Sequence, residues 1–552
     1  MSNISISDGA GDSTGLVSGL MSGFVEAMEN SPLQWPYLLS ACACLLLGGL
    51  YLRRGSNLPL PPGPYPLPII GNIHQLLSKP LPELLLEWHQ KYGPVVSFQS
   101  GSRLMVSVSS HDICQDLMVR KGTLYSSRPD IVIAGKYATR GLHIALLPFG
   151  KKYQAHRRIL ASVTTENASR KYRLLESVES LQVMVDLLSS NDFSSSFRRY
   201  GASVTNALAY GRRLTHEDED EAEFREAEQL AHRLVDVLAY IHFALVEIFP
   251  ILDNLPGFLA PWKAFGQKYY TEATSFYCKN LLKAKSTQSW NWVKHSLTLP
   301  EIKDMQIDEV SMIFGTALQA ALETIPSTLR VFVKAMLLYP DCLAKAQTEL
   351  NEVVGPDRVP SFSDMSSLPY INAIVSECCR WQPVIALGVP HSNTHDDEYG
   401  GFLIPKGTIL FPNSWAIGFD EALHNNAREF IPERWFDNPD LPNSAPFGYG
   451  RRVCPGKFIG IDSLFINIAR MIWGYDFSHG KRKVTLWDID HAFTSNSRGF
   501  DVKFSIRSPK HREALEKAWA AADTDSDVIL AKIQPDHQTR SATNVLTRIG
   551  KT

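Results

Sequence analysis

A glycine-rich, basic loop around Cys454 carries the residue types best suited to chemistry. It reads Phe-Gly-Tyr-Gly-Arg-Arg-Val-Cys-Pro-Gly, which sets Phe447, Gly450, Arg452 and Gly456 at fixed spacings around the cysteine. Cysteine thiolates bind iron, and glycines let backbone N–H groups approach the sulfur. An arginine here can pair with an anion such as a haem propionate. A lone cysteine is more often an inert core residue, but this pattern favours a metal-ligating thiolate.

An acid and a hydroxyl, Glu323 and Thr324, stand side by side in an apolar stretch. The stretch from 307 to 338 predicts one long helix, with Pro326 inside it. A carboxyl group there is costly unless it is satisfied or functional, and a carboxyl group beside a hydroxyl can move protons. The alternative is a threonine that hydrogen-bonds to a carbonyl of its own helix. We interpret the pair as catalytic.

The elements that must position these groups are mostly helical. Residues 152–250 show the apolar spacing of several helices, whereas alternating runs at 95–99 and 104–109 predict a hairpin around 101–103. No long linker interrupts residues 70–505. The sequence therefore predicts one large, mainly α domain with small β-sheets.

The composition of the chain excludes several classes of protein. The chain has 552 residues, of which 44% are hydrophobic and 20% charged, and its net charge is -2. This excludes a disordered chain and a small disulfide scaffold, and it gives no electrostatic case for nucleic acid as a partner. The eight cysteines lack the paired spacings of a zinc site, which favours a reducing, intracellular compartment.

The loop and the acid–alcohol pair resemble those of the cytochrome P-450 family of haem-thiolate monooxygenases. The resemblance spans roughly residues 59–507. It implies the family's fold and haem b with Cys454 as the axial thiolate ligand. It also implies haem-binding roles for the loop residues named above.

The family's Glu-x-x-Arg helix is similar to Glu377-Cys-Cys-Arg380, and its downstream arginine is similar to Arg434 in Pro-Glu-Arg-Trp. Because residues three apart share a helix face, Glu377 and Arg380 can pair, and Arg434 can complete a buried network. An exposed surface pair is the alternative. The resemblance favours the buried network.

Other motifs depart from the family pattern. Ala321 replaces a usual glycine before the acid–alcohol pair. The propionate-binding Trp-Arg-x-x-Arg motif resembles Tyr153-Gln154-Ala-His-Arg157, which keeps an aromatic donor and one arginine. His391 falls where the family commonly places a basic propionate partner, and a surface histidine is the alternative. We expect Tyr153, Arg157 and His391 to bind the haem.

The resemblance also implies partners. Electrons are expected from NADPH through NADPH-cytochrome P-450 reductase, with cytochrome b5 as a candidate second donor. The substrate is expected to be an apolar small molecule. Candidate residues for docking the reductase are Arg158, Arg451 and Lys457. Candidate residues for the substrate pocket are Ile385, Leu387, Val389 and the segment 131–138.

The amino terminus predicts a membrane anchor. Residues 37–52 carry no charge and are followed at once by Arg53 and Arg54. A helix of this length spans about 24 Å, close to the thin endoplasmic reticulum bilayer. The two arginines predict that the body is cytosolic and residues 1–36 are lumenal. A removable signal peptide is the alternative, but no basic segment precedes the apolar run.

The predicted organisation is thus a lumenal tail (1–36), a transmembrane helix (37–52), a basic and proline-rich hinge (53–69), a catalytic domain (70–507) and a polar, partly helical tail (508–552). The resemblance, which is to fungal microsomal members of the family, implies hydroxylation or epoxidation of an apolar small molecule in a fungal secondary-metabolite pathway, with O₂ and with electrons from NADPH through a reductase. The alternatives are an oxygen-independent isomerase or dehydratase, and a non-catalytic haem sensor or carrier. Retention of Glu323 and Thr324 argues against both.

Overall fold

The computed structural model describes residues 58–534, except residues 240–244, 443–444, 487, 492–493 and 498. The predicted anchor at 37–52 lies outside the described residues. Within those that are described, no helix has both the length and the apolar character needed to cross a membrane. Contacts divide the chain into a main unit, residues 60–399 and 404–552, and a small unit that includes residues 58–59 and 400–403. Every candidate site residue lies in the main unit.

Helices dominate the main unit because long stretches place apolar residues three or four positions apart. Those of eight or more residues are α1 (Leu81–Tyr92), α2 (Lys151–Thr164), α3 (Glu166–Ser189), α4 (Phe193–Tyr210), α5 (Asp218–Ala239), α6 (Pro261–Ser286), α7 (Ile307–Leu338), α8 (Pro340–Val353), α9 (Pro369–Trp381), α10 (Lys457–Gly474), α11 (Pro509–Ala520) and α12 (Ser526–Ile533). Shorter helical segments are Ile73–Leu76, His111–Cys114, Gln115–Arg120, Gly122–Tyr125, Val132–Ala138, Leu245–Ile248, Pro250–Asn254, Gly257–Leu259, Trp292–Ser296, Pro300–Ile302, Phe362–Ser367, Ser414–Gly418, Arg434–Asp437, Ala445–Phe447 and Gly450–Arg452.

The strands are short. They are β1 (Val95–Ser100), β2 (Arg103–Val108), β3 (His391–Ser392), β4 (Asp397–Tyr399), β5 (Phe402–Ile404), β6 (Ile409–Pro412), β7 (Tyr475–His479), β8 (Ile489–His491), β9 (Ser495–Ser497) and β10 (Val502–Ile506). β1 and β2 form the predicted antiparallel hairpin, with Val96 opposite Ser107. The sheet continues in the order β1-β2-β6-β3, with β2 parallel to β6 and β3 antiparallel to it. This sheet holds His391 at one edge.

Helix α7 is the central element, and its bounds are those predicted from the sequence. Close packing depends on two glycines that face it or lie on it. A Cβ on Gly201 of α4 would overlap the carbonyl oxygen of Ala321, and a Cβ on Gly315 would overlap the ring of Tyr277 on α6. Helices α4 and α6 therefore lie directly against α7.

The segment after β10 is part of the main unit. Leu515 of α11 and Ile529 and Leu530 of α12 are fully buried, and the Arg213 guanidinium donates to the carbonyl of Thr524 at 2.8 Å. The predicted polar tail is thus helical and packed up to Ile533. Residues 535–552 lie outside the described part of the chain.

Candidate active site

The loop before Cys454 is shaped by two short helical turns, Ala445–Phe447 and Gly450–Arg452. The N–H of Cys454 donates to the carbonyl of Phe447 at 2.8 Å and closes the loop. Helix α10 begins three residues later. Cys454 therefore lies at the amino-terminal end of an 18-residue helix, where the helix dipole favours negative charge on the sulfur.

The two glycines of the motif act in different ways. Gly450 has φ +54°, and a Cβ there would overlap the carbonyl of Met118, so that only glycine fits. Gly456 has φ -86°, which other residues adopt equally well. Its backbone N–H instead bonds to the Cys454 sulfur and opposes the rise in the pKa of the thiol that burial causes.

Cys454 lies in a recess: its surface is accessible to solvent, yet protein surrounds the sulfur. Burial raises the pKa of the thiol, while the Gly456 N–H and the charges of Arg157 and Lys457 oppose that shift. A cation bound to the sulfur would reverse the balance, because coordinated thiols are deprotonated. The setting suits a ligated thiolate better than a free one.

Three basic groups converge beside the loop: Arg128, His391 and Arg452. Arg452 donates to the carbonyls of Ser126 at 2.7 Å and Leu147 at 2.6 Å. Arg128 donates to the carbonyls of Ala145, Val389 and Pro390. His391 Nδ1 is hydrogen-bonded to the carbonyl of Tyr125. Within the described chain, no carboxylate pairs with these three groups.

Such a cluster is costly on its own. Burial and then the charge of Arg452 hold the pKa of Arg128 well below its usual value. Burial, followed by the charges of Arg128 and Arg452, likewise lowers the pKa of His391. Buried cations that repel one another require an anion nearby. A dianionic group at this position would satisfy all three.

Side chains of helix α2 bind backbone carbonyls of the loop that precedes Cys454. The Tyr153 hydroxyl donates to the carbonyl of Arg451 at 2.6 Å, and the Tyr153 ring centroid is 3.7 Å from the Arg452 guanidinium carbon. The Arg157 guanidinium donates to the carbonyl of Val453 at 2.8 Å. Tyr153 and Arg157, expected to bind the haem directly, thus clamp the residues on either side of Arg452.

The candidate docking residues have neighbours of their own. Arg158 pairs with Glu301 at 2.8 Å although its side chain is mostly exposed. The guanidinium of Arg451 lies over the Phe149 ring, and the Lys457 ammonium lies over the Phe447 ring. Of the three, Arg451 is exposed and Lys457 is half-buried.

Glu377, Arg380 and Arg434 form one buried network. The two Glu377 oxygens accept from Arg380 at 2.8 and 2.7 Å, and one also accepts from Arg434 at 3.1 Å. The backbone N–H of Ile431 and the indole of Trp435 complete the shell of Glu377 at 2.8 and 3.0 Å. The Glu377 side chain is fully buried, so the surface-pair alternative is wrong.

Glu323 and Thr324 are adjacent residues of α7, but their side chains contact different groups. The Thr324 hydroxyl donates to the carbonyl of Ala320 at 2.9 Å, which is the bond of the non-catalytic alternative. A carboxyl oxygen of Glu323 lies 3.6 Å from His232 Nε2 on α5. Burial raises the pKa of Glu323, partly offset by the charges of His232 and Arg198. Ala320 is exposed although it lies in the middle of this helix, so solvent reaches α7 one turn before Thr324.

Comparison with known proteins decides the family. The Cytochrome P450 family model matches residues 61–504. This chain belongs to the cytochrome P450 family. It is 38% identical to the cytochrome P450 monooxygenase aneD of Aspergillus aculeatus. The alignment spans 509 residues and covers 90% of this chain and 98% of that protein.

Two further relatives agree. The cytochrome P450 monooxygenase FrzL of Cladobotryum sp is 37% identical over 91% of this chain and 98% of its own length. The cytochrome P450 monooxygenase drtD of Aspergillus calidoustus is 39% identical over 87% of this chain and 92% of its own length. The P450 is therefore an oxidoreductase of the monooxygenase class, which incorporates one atom of oxygen.

The P450 family implies a haem-thiolate cofactor, and the residues present fit it. Cys454 offers the thiolate, Arg128 and Arg452 offer cations for the two propionates, and His391 offers a ring nitrogen beside them. The sequence analysis missed Arg128. No motif spacing links it to Cys454, and only the fold brings its segment to the loop.

Proposed function

We propose that this P450 hydroxylates or epoxidises an apolar small molecule in a fungal secondary-metabolite pathway, with O₂ and with electrons passed from NADPH through a reductase. The observation that carries the proposal is Cys454 at the start of α10, beside three buried basic groups that lack a carboxylate partner among the described residues. When bound, haem supplies oxygen activation, which the thiolate promotes. Arg128, His391 and Arg452 would hold its propionates.

Proton delivery is assigned to Glu323 and Thr324. The raised pKa of Glu323 favours a carboxyl group that can hold a proton nearer to neutral pH. His232 Nε2 lies 3.6 Å from a Glu323 oxygen, which is longer than a hydrogen bond, so a bridging water would have to carry a proton between them. About half of the His232 side chain is exposed to solvent, from which such a proton can come. The Thr324 hydroxyl can donate to another acceptor when it leaves the carbonyl of Ala320.

The substrate is expected to contact half-buried apolar side chains. Ile385, Leu387 and Val389 are half-buried in the segment that leads to His391, and Val389 also accepts a hydrogen bond from Arg128. These residues therefore run alongside the basic cluster. Their apolar character supports an apolar substrate over a charged one.

The iron ligand is tested by spectroscopy. The ferrous carbonyl complex of the wild type should show the red-shifted Soret band of thiolate ligation. Cys454→Ala should abolish that band, whereas the control Cys278→Ala changes a half-buried cysteine on α6 and should keep it. Retention of the band in Cys454→Ala would refute the assignment.

We also propose an endoplasmic reticulum location with the catalytic body in the cytosol. Besides the apolar run at 37–52, two strongly exposed apolar segments support contact with lipid, at Tyr65–Ile70 and Ile251–Leu259. Each segment lies near the β1–β2 turn: Gly101 N–H donates to the Ile70 carbonyl, and a Cβ on Gly101 would overlap Ile248, three residues before the second segment. We propose that both segments enter the bilayer interface.

Topology is tested by protease treatment of sealed microsomes. Digestion of the haem domain without detergent is expected if the body is cytosolic. Protection of the whole body until detergent is added would contradict this topology.

A further inference from the structure

Two buried glutamates lie one turn apart on helix α3, and they differ in how their charge is balanced. Glu176 and Glu179 are both 0% exposed. Glu179 accepts hydrogen bonds from Arg199 at 2.7 Å, from Arg213 at 2.5 Å and from Ser203 at 2.6 Å. Burial would raise the pKa of Glu179, but the charges of its two arginines outweigh burial and lower that pKa. Glu179 is therefore a buried carboxylate with matching cations.

Glu176 has no such partner. One of its carboxyl oxygens accepts from the Ser463 hydroxyl of α10 at 3.0 Å, and the other has no hydrogen bond within the described part of the chain. Arg173, one turn earlier on α3, instead donates two bonds of 2.8 Å to Asp462 of α10. An ionised Glu176 would thus lie near a second carboxylate with one neutral donor. Buried carboxyl groups avoid that cost by binding a proton.

The polar atoms around Glu176 can use such a proton. The hydroxyl of Tyr200 on α4 and the side-chain oxygen of Asn467 on α10 have no hydrogen-bond partner in the described structure. Asn467 also donates from its side-chain nitrogen to the Ser463 carbonyl at 2.8 Å, which places it next to the Glu176 contact. A protonated carboxyl group donates as well as accepts, whereas a carboxylate only accepts. Protonation therefore adds a donor among acceptors that need one.

The electrostatics of the surrounding helices agree with a neutral Glu176. Burial, followed by the charge of Asp462, raises the pKa of Glu176 well above its usual value, and the Ser463 bond and the charge of Arg173 offset only part of this rise. Arg470 donates to backbone carbonyls instead. The titratable groups that face this site from the three helices are Arg173 and Glu179 of α3, Tyr200 of α4, and Asp462 and Arg470 of α10.

Helix α10 connects this site to the cysteine loop, because it begins three residues after Cys454 and carries both Asp462 and Ser463. We propose that Glu176 carries a proton in the folded P450 at neutral pH and that loss of this proton loosens α10 from α3. Deprotonation would place a second negative charge near the carboxylate of Asp462 that binds Arg173. The contact is thus an alkaline pH switch in the support of Cys454.

Stability should fall as this proton is lost. An unfolded glutamate titrates near about pH 4.3. Between that pH and the higher pKa of folded Glu176, the folded chain holds one proton more than the unfolded chain. Its stabilising effect is complete below the lower pKa, and across this window the folding constant falls about tenfold per pH unit. Glu176→Gln is neutral in both states and should lack this dependence.

The proton is detected by infrared difference spectroscopy of the haem-loaded full chain at neutral pH. The spectrum of the wild type minus that of Glu176→Gln should show the C=O stretching band of a protonated carboxylic acid, and this band should shift in D₂O and disappear at alkaline pH. Glu179→Gln is the matched control, equally buried on the same helix but ionised, so its difference spectrum should show carboxylate bands. Carboxylate bands in the Glu176→Gln difference, or no acid band there, would overturn the proposal.

Thermal unfolding and the ferrous carbonyl spectrum test the switch itself. The Tm of Glu176→Gln minus that of the wild type should increase with pH, and the variant should keep its red-shifted Soret band to a higher pH. Glu179→Gln should lower Tm at every pH, because two buried arginines lose their partner. A Tm difference that does not change with pH, or failure of Glu176→Gln to load haem, would refute the proposal, since a neutral isostere should be accepted. The infrared and Tm measurements do not depend on which residue binds the iron.

Discussion

Removal of Arg380 should destabilise the P450 far more than removal of an equally well paired surface arginine. Arg380 donates two bonds to Glu377 and further bonds to the carbonyls of Gly418, Ala427 and Glu429, at 2.6, 2.7 and 2.9 Å. Arg380→Ala leaves these carbonyls without that donor. It also leaves the fully buried Glu377 with Arg434 as its remaining cation.

The size of the effect follows from burial. Breaking a buried ion pair by removing one partner costs about 3–5 kcal/mol. With an unfolding entropy of roughly 2.1 cal/mol/K per residue, a domain of this size loses about 1 °C in Tm per kcal/mol, so a fall of about 3–5 °C is expected. The haem-loaded yield should fall as well.

Arg358→Ala is the matched control. Arg358 binds Asp364 through two bonds of 2.8 and 2.7 Å, so its geometry is that of the Glu377–Arg380 pair, but its side chain is 48% exposed. Such a pair contributes about 0–1 kcal/mol. The assay is thermal unfolding of both variants followed by Soret absorbance, with haem content at purification. Equal losses for Arg380→Ala and Arg358→Ala would refute the argument from burial.

Thr324→Ala should raise the peroxide formed per NADPH consumed and lower product yield, whereas Thr328→Ala, which removes an equivalent helix bond to the Thr324 carbonyl, should not; equal ratios would favour the isomerase or carrier alternatives. Burial lowers the pKa of Lys334 to about 8, so the unfolded chain binds more protons above that pH and stability should rise towards about pH 10.5. Lys334→Met should flatten this rise by roughly 3 kcal/mol in urea unfolding across the window, and an unchanged slope would contradict the assignment. Ending the chain at residue 508 should lower Tm, because α11 and α12 bury several apolar side chains worth about 1.5–3 kcal/mol each, and an unchanged Tm would contradict this packing.

The sequence predicted best those features whose residues are close along the chain. The bounds of α7 and the β1–β2 hairpin follow from local periodicity and turn residues, and the structure has both. The spacing of Glu377 and Arg380 on one helix face likewise predicts their pairing. In each case a local rule of backbone geometry fixes which side chains meet.

Contacts between distant segments could not be predicted in this way. Arg128, His391 and Arg452 come from a loop, an edge strand and the cysteine loop, and no periodicity relates them. Tyr153 was expected at a propionate, yet its hydroxyl binds the Arg451 carbonyl and its ring supports Arg452. Such roles depend on how helices dock.

The arrangement on α7 shows why adjacency in sequence is a poor guide to a proton path. Successive residues of an α-helix differ by 100° in direction, and here Thr324 turns back to Ala320 while Glu323 turns to His232 on α5. In the proposed proton relay, a proton would reach Glu323 from the α5 side, and its transfer to Thr324 would need either rotation of the carboxyl side chain or a bridging water. The two residues can still act in sequence, but as a relay between two helices and not as a single pair facing one group. Loss of Thr324 should then affect oxygen coupling alone, because the Glu323–His232 contact does not depend on it.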